Sequence, residues 1–157
     1  MTDVRFSLNG EAAEVDVEPR ELLLDTLRDR LSMTGAHAAC EQGACGACTI
    51  LVDGASVRSC LMFTVQATGA EVRTIEGVGS PGALHPIQQA LSTHHGLQCG
   101  YCTPGMVLTA LEMFETDPHP SRDEIVEWMA GNLCRCTGYI NIVSALEALA
   151  GTAEAQS

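Results

Sequence analysis

The eight cysteines of this 157-residue chain constrain what it can fold into more than any other feature, because they fall into two groups of four. Four thiolates are the number that a structural zinc ion or an iron–sulfur cluster takes from a protein. The first residues, Met1-Thr2-Asp3-Val4-Arg5, lack the apolar stretch of a secretory signal, so we expect a cytoplasmic protein whose thiols stay reduced. The first group consists of Cys40, Cys45, Cys48 and Cys60, and the second of Cys99, Cys102, Cys134 and Cys136.

The first group has the spacing C-x4-C-x2-C followed by a distant fourth cysteine, which is the ligand pattern of plant-type [2Fe–2S] proteins. A loop that wraps an anionic cluster must aim backbone N–H groups at its sulfurs, and Gly43 and Gly46 allow the unusual backbone angles that this requires. The alternative is a zinc ion, which commonly takes two closely spaced cysteine pairs. Here three cysteines lie close together and Cys60 has no neighbouring cysteine, so there are not two separate pairs and the spacing favours a [2Fe–2S] cluster.

The second group leaves two alternatives open. Its cysteines form two close pairs, which suit one zinc ion as well as they suit a second cluster. A helix is predicted to begin just after Cys102, but its positive end favours either anionic centre equally. Arg135 lies between Cys134 and Cys136, where it would be the nearest cation to a bound centre. The spacing therefore predicts a metal site without identifying the metal.

The charge of the chain excludes two classes of partner. Twenty acidic residues outnumber eight basic ones, for a formal net charge of −12. Such a chain is repelled by nucleic acid phosphates and by anionic membrane surfaces. No apolar run approaches the roughly 18 residues that cross a bilayer. We therefore expect neither a nucleic acid partner nor membrane insertion.

The first half of the chain is predicted to be mainly strand and the second half mainly helix, which makes the fold class α+β. The Gly- and Pro-rich stretch around residues 76–82 marks the boundary. We predict a domain over 1–76, a linker over 77–84, a helical domain over 85–150 and a flexible tail over 151–157. Strands are expected at 4–8, 14–17, 49–52, 57–60 and 71–75, and helices at 21–31, 85–95, 103–115, 122–130 and around 142–149. The period-two alternation of residues 4–8, followed by Asn9-Gly10, predicts a hairpin. Thr103 is expected to cap the helix at 103–115, and Ser121 with Glu124 to form a capping box at the helix over 122–130.

Three motifs carry a resemblance to a known family. They are Cys40-Glu41-Gln42-Gly43-Ala44-Cys45-Gly46-Ala47-Cys48-Thr49, Gln98-Cys99-Gly100-Tyr101-Cys102-Thr103-Pro104-Gly105-Met106 and Gly131-Asn132-Leu133-Cys134-Arg135-Cys136-Thr137-Gly138-Tyr139. Together they resemble the iron–sulfur small subunit of the xanthine oxidase family of molybdenum hydroxylases. The resemblance spans nearly the whole chain, and it is this resemblance that identifies the second group as a cluster site.

The resemblance implies a fold and a set of cofactors. The first domain would be a plant-ferredoxin-like β-grasp domain and the second a four-helix bundle, each with one [2Fe–2S] cluster. The second cluster would lie nearer the molybdenum–pterin cofactor, with Gln98 hydrogen-bonded to that cofactor and the region of Cys136 approaching it. The ferredoxin-like cluster would lie toward FAD.

The resemblance also implies an electron-transfer function within an oxidoreductase. This chain would relay single electrons from molybdenum through its two clusters to FAD or another acceptor, and it carries no catalytic acid–base residues of its own. The expected partners are a molybdenum-binding large subunit and an FAD-binding medium subunit, in a dimer of heterotrimers. The alternatives are a free-standing two-cluster ferredoxin and a zinc-stabilised interaction module.

Overall fold

The computed structural model describes residues 1–154. The first half of the chain forms one mixed five-stranded sheet. The strand order is β2-β1-β5-β3-β4, in which β1 runs parallel to β5 and every other neighbouring pair is antiparallel. The strands are β1 Thr2–Leu8, β2 Glu11–Val17, β3 Thr49–Val52, β4 Ala55–Arg58 and β5 Glu71–Arg73.

The hairpin of β1 and β2 follows from its local sequence. Asn9 and Gly10 both adopt positive φ, as a two-residue hairpin turn requires. The alternating residues Val4, Phe6 and Leu8 are buried on one face of β1. The strand predicted over 4–8 is therefore present, although β1 begins earlier, at Thr2.

The helix predicted over 21–31 is present but has an unusual shape. A single turn, α1 (Leu23–Asp25), widens directly into a π-type turn over Thr26–Arg30. The wider turn is closed by the bond from the Leu31 amide to the Thr26 carbonyl oxygen, at 3.1 Å. The segment buries Leu23 and Leu27 against the sheet.

The strand predicted over 57–60 is shifted. The strand β4 ends at Arg58, and Ser59–Leu61 form a short 3-10 turn instead. The Ser59 hydroxyl and amide both donate to the Cys48 carbonyl oxygen, at 2.8 and 3.3 Å. Cys60 therefore lies on a turn beside the loop of the other three cysteines.

Four helices make up the second half of the described chain, as expected. The Ser121 side chain caps α4 and Glu124 bonds back to it, which confirms the predicted capping box. The predicted cap at Thr103 is wrong, because Cys102 occupies that position and makes no side-chain capping bond. The helices are α2 Pro86–Thr93, α3 Thr103–Thr116, α4 Arg122–Met129 and α5 Ile140–Glu154.

The last helix reaches beyond the predicted end of the helical domain. Helix α5 continues through Glu154, so the predicted tail boundary at residue 151 falls inside it. The rest of the predicted tail, residues 155–157, lies outside the described residues. Of the helices described, none combines the length and the apolar character needed to span a bilayer.

Two apolar cores meet at β3. One core lies between the sheet and α1, and the other lies among the four C-terminal helices. Leu51 of β3 belongs to the helical core, whereas its neighbour Ile50 belongs to the sheet core. Val78, in the predicted linker, is also buried in the helical core. The two halves are thus packed directly against each other.

Candidate metal centres

The first group of cysteines lies on the long loop before β3 and on the turn after β4. Gly43 and Gly46 in this loop adopt φ values of +79° and +75°, where a side chain would be strained. A Cβ atom at Gly46 would also lie 2.7 Å from the Gly131 carbonyl oxygen. Glycine is therefore required there both by the backbone angle and by the close approach of the second half of the chain.

The thiols of the first group are arranged in two pairs. The Cys45 amide donates to the Cys40 sulfur at 3.3 Å, and the Cys48 and Cys60 thiols interact directly. Hydrogen bonds to the Cys40 sulfur from the Gln42 amide, and then from the thiol and the amide of Cys45, lower the pKa of Cys40 to about 6. Burial, followed by the contact with Cys48, raises the pKa of Cys60 to about 11. The loop thus stabilises negative charge at Cys40 and shields the Cys48–Cys60 pair from water.

The second group is also arranged in pairs, between the start of α3 and the loop before α5. The Cys99 and Cys136 sulfurs are 3.5 Å apart, and the Cys102 and Cys134 thiols interact with each other. Burial, followed by the contact with Cys134, raises the pKa of Cys102 to about 12. Each close pair therefore takes one cysteine from the loop before α3 and one from the loop before α5.

This pairwise arrangement distinguishes between the two kinds of metal centre. A structural zinc ion draws four ligands around one point, whereas a [2Fe–2S] cluster has two irons that take two thiolates each. The two pairs of thiols in each group match the donor set of a two-iron cluster in number, chemistry and pairing.

A buried polar network joins the two cysteine loops. Asn132, only 1% exposed, donates to the Gly46 carbonyl oxygen at 3.1 Å and accepts a bond from the Thr109 hydroxyl at 3.0 Å. The next residue, Leu133, donates its amide to the Cys45 carbonyl oxygen at 2.8 Å. Sequence reasoning missed this role of Asn132, although a buried polar residue next to a cysteine pair is a usable signal.

The remaining predicted residues lie at the surface beside the second group. Gln98 and Arg135 are exposed, as are Cys99 and Cys136. In the first group, by contrast, Cys48 and Cys60 are buried. The second candidate centre is therefore the one with ligands open to the outside of this chain.

Comparisons with known proteins agree with two cluster domains. Residues 6–74 match the family model described as a 2Fe-2S iron-sulfur cluster binding domain, and residues 74–147 match the [2Fe-2S] binding domain. The chain is 49% identical to the nicotine 6-hydroxylase small subunit of Paenarthrobacter nicotinovorans over 144 residues, which is 92% of this chain and 87% of that one. It is also 49% identical to caffeine dehydrogenase subunit gamma of Pseudomonas sp. (strain CBB1), over 96% of this chain and 92% of that one.

A solved structure extends the likeness to three dimensions. A chain of quinoline 2-oxidoreductase from Pseudomonas putida 86 superposes with a TM-score of 0.92 at 46% sequence identity. The match covers 98% of this chain and 96% of that one. Fold and sequence therefore agree along nearly the full length of both chains.

Proposed function

The chain belongs to the iron–sulfur small subunits of the xanthine oxidase family of molybdenum hydroxylases, and from this premise we propose that it relays single electrons from a molybdenum–pterin centre through two [2Fe–2S] clusters to FAD or another acceptor. Each cluster, when bound, takes up and releases one electron. The observation that carries the proposal is the arrangement of eight thiols as two sets of two pairs, on loops joined by the bond between Leu133 and Cys45.

The ligand assignment follows the pairs. Within the first group, Cys40 with Cys45 would hold one iron and Cys48 with Cys60 the other. Within the second group, the corresponding pairs are Cys99 with Cys136 and Cys102 with Cys134. Buried thiols such as Cys60 and Cys102, whose pKa values are raised, must give up protons on cluster binding. Gly43 and Gly46 act by shaping the first loop.

The exposed side of the second centre would face the molybdenum subunit. Cys136 is both a proposed ligand and exposed, so it lies where a partner cofactor can approach. Gln98, exposed beside Cys99, would donate or accept a hydrogen bond there. Arg135, also exposed, would screen part of the negative charge that arrives with an electron.

The finer architecture and the partners are part of the same proposal. We assign a β-grasp domain to residues 1–76, a linker to 77–84 and a four-helix bundle to 85–150, supported by the meeting of the two family models at residue 74. The complex would be a cytoplasmic dimer of heterotrimers with a molybdenum-binding large subunit and an FAD-binding medium subunit. This division is supported by the mixed sheet, against which α1 packs, and by the four helices that follow it in the chain.

Metal content tests the proposed function directly. The complex is purified through a tag on this chain from its own host, and its iron, molybdenum and zinc are measured. About four irons per chain together with about one molybdenum is the expected result. The same iron without molybdenum or partner chains would favour a free-standing ferredoxin. Zinc in place of iron would overturn the electron-transfer function.

A further inference from the structure

His37 and Tyr101 form an aromatic contact between the two cysteine loops. Their rings are stacked, with centroids 4.4 Å apart and planes inclined by 20°. His37 precedes Cys40 in the first loop, and Tyr101 lies between Cys99 and Cys102 in the second. The contact therefore connects the two candidate centres along a route separate from the Asn132 network.

Two hydrogen bonds make this contact reciprocal. The Tyr101 hydroxyl donates to the Ala38 carbonyl oxygen at 2.6 Å, and His37 Nδ1 lies 2.7 Å from the Tyr101 carbonyl oxygen. Because a carbonyl oxygen can only accept, Nδ1 is the nitrogen that carries the proton. The His37 amide also donates to the Ala47 carbonyl oxygen at 3.1 Å, which holds His37 to its own loop. Each ring is thus fixed to the backbone of the opposite loop.

The location of the contact argues against a role in the core. Tyr101 is 45% exposed and His37 is half-buried, so the pair removes little apolar surface from water. Both residues lie outside regular strands and helices, where loop geometry depends on specific side-chain bonds. Three directed interactions in such a place restrain the spacing and orientation of the loops more than they stabilise the fold.

We propose that the His37–Tyr101 contact is a positioning element that fixes the two cysteine loops relative to each other and so sets the electronic coupling between the two centres. This inference rests on the proposed function, since it concerns two clusters in one chain. Electron exchange between two centres falls steeply as their separation grows, so a small loosening of one loop reduces coupling. His37 and Tyr101 act through the backbone that carries the cysteines and need not bind a cluster themselves.

The experiment uses graded variants in the purified complex. His37→Phe and Tyr101→Phe each retain a ring but remove one hydrogen bond, whereas His37→Ala and Tyr101→Ala remove the ring contact as well. The double alanine variant completes a cycle that isolates the interaction between the two residues. His94→Ala is the matched control, since His94 is an exposed histidine at the end of α2.

Two readouts besides activity separate positioning from general instability. Hydrogen–deuterium exchange reports the opening of residues 37–48 and 99–103. We expect the amide exchange rates of these residues to rise about tenfold in the alanine variants, because each variant loses about one net hydrogen bond. Electron paramagnetic resonance of the fully reduced complex reports the magnetic interaction between the clusters, which we expect to weaken. Iron content and the midpoint potentials of both clusters should stay unchanged, and the phenylalanine variants should lie between wild type and alanine.

Unchanged exchange and unchanged magnetic interaction in both alanine variants would overturn the inference. If an alanine variant fails to fold, the two phenylalanine variants decide the question, since each keeps the ring in place. A wild-type complex without iron would contradict the proposed function itself. If the wild type contains its full iron but the variants change neither the exchange rates nor the magnetic interaction, only the positioning role is contradicted.

Discussion

The side-chain amide of Asn132 donates to the Gly46 carbonyl oxygen over 3.1 Å, across a separation of 86 residues in the chain. The same amide lies 3.3 Å from the Thr49 hydroxyl, and its oxygen accepts from Thr109 at 3.0 Å. A single buried side chain thus bonds the first cysteine loop, the first residue of β3 and α3. Asn132 directly precedes Leu133, whose amide donates to the Cys45 carbonyl oxygen. These neighbouring bonds hold the two proposed cluster sites together.

Replacing Asn132 by alanine should destabilise the protein, because the buried partners Thr49 and Thr109 then lose a hydrogen bond without gaining water. We expect a loss of about 2 kcal/mol, or a fall of roughly 5 °C in the unfolding midpoint. Bleaching of the visible cluster absorption during heating measures it. The control is Asn141→Ala, which removes an exposed bond to the His95 carbonyl oxygen and should cost less than about 0.5 kcal/mol. Equal shifts in the two variants would contradict the role given to Asn132.

Replacing one proposed ligand in each group should remove one cluster at a time. Cys48→Ser and Cys102→Ser should each lower the iron content from about four to about two per chain. The two variants should lose different resonance signals, since each serine interrupts one pair of thiols. Iron analysis and low-temperature electron paramagnetic resonance measure the outcome. A folded variant that keeps both signals would show that its cysteine is not a ligand.

The elements that sequence patterns predicted well are those with a local cause. The alternation of Val4, Phe6 and Leu8 and the Asn9-Gly10 turn specify the first hairpin without help from the rest of the fold. The capping box of Ser121 and Glu124 is similarly local. In such cases the residues that cause the structure and the structure itself share one short segment.

The features that were missed depend on residues distant in the chain. The strand β4 gives way to a turn at Ser59 because Ser59 bonds to Cys48, and spacing alone carries no sign of that contact. The partnership of Asn132 with Gly46 and that of His37 with Tyr101 likewise exist only once both loops are folded. Cysteine spacing predicts candidate metal ligands, but it carries no information on how the two loops are held together.

Gln98→Ala tests the proposed contact with the molybdenum–pterin cofactor. Both clusters should remain. Either the rate at which substrate reduces the clusters or the molybdenum content should fall by about tenfold, as happens at other metal sites when a residue that hydrogen-bonds to a metal ligand is replaced. Rapid-mixing spectroscopy and metal analysis measure the two effects. Gln89→Ala, at an exposed position of α2, is the matched control and should change neither quantity. Unchanged reduction and unchanged molybdenum in Gln98→Ala would remove this residue from the proposed contact.

Arg135→Ala tests whether a cation beside the second group affects its affinity for an electron. Because the reduced cluster carries more negative charge, loss of the guanidinium should lower its potential. Arg135 is exposed, so the shift should be modest, roughly 20 to 40 mV, and should shrink at high salt. Arg135→Lys should retain most of the wild-type potential. Arg122→Ala, which breaks an exposed pair with Glu147, is the control. A redox titration measures the potential of the second cluster in each variant. Equal potentials in all variants would show that Arg135 is a solvated surface residue without influence on the cluster.

The pair of Glu21 and Arg30 predicts a pH-dependent contribution to stability. Glu21 is only 16% exposed, and Arg30 Nη2 donates to its carboxylate at 2.8 Å. The bond from Arg30, with a smaller contribution from Thr26, lowers the pKa of Glu21 below its ordinary value of 4.5 despite the opposing effect of burial. The folded state therefore binds this proton less readily than the unfolded state does. The stabilisation is fully present above about pH 4.5 and is lost as the pH falls through the folded-state pKa.

Glu21→Gln should therefore cost about 1 kcal/mol at pH 7 and progressively less at pH 4 and below, because the wild-type carboxylate then becomes neutral as well. Urea unfolding of both proteins at several pH values, followed by circular dichroism, measures the difference. Glu18→Gln provides the control, since Glu18 pairs with Arg20 where both side chains are exposed, and should have little effect at any pH. A difference between wild type and Glu21→Gln that stays constant from pH 7 to pH 4 would mean that the carboxylate charge does not stabilise this segment.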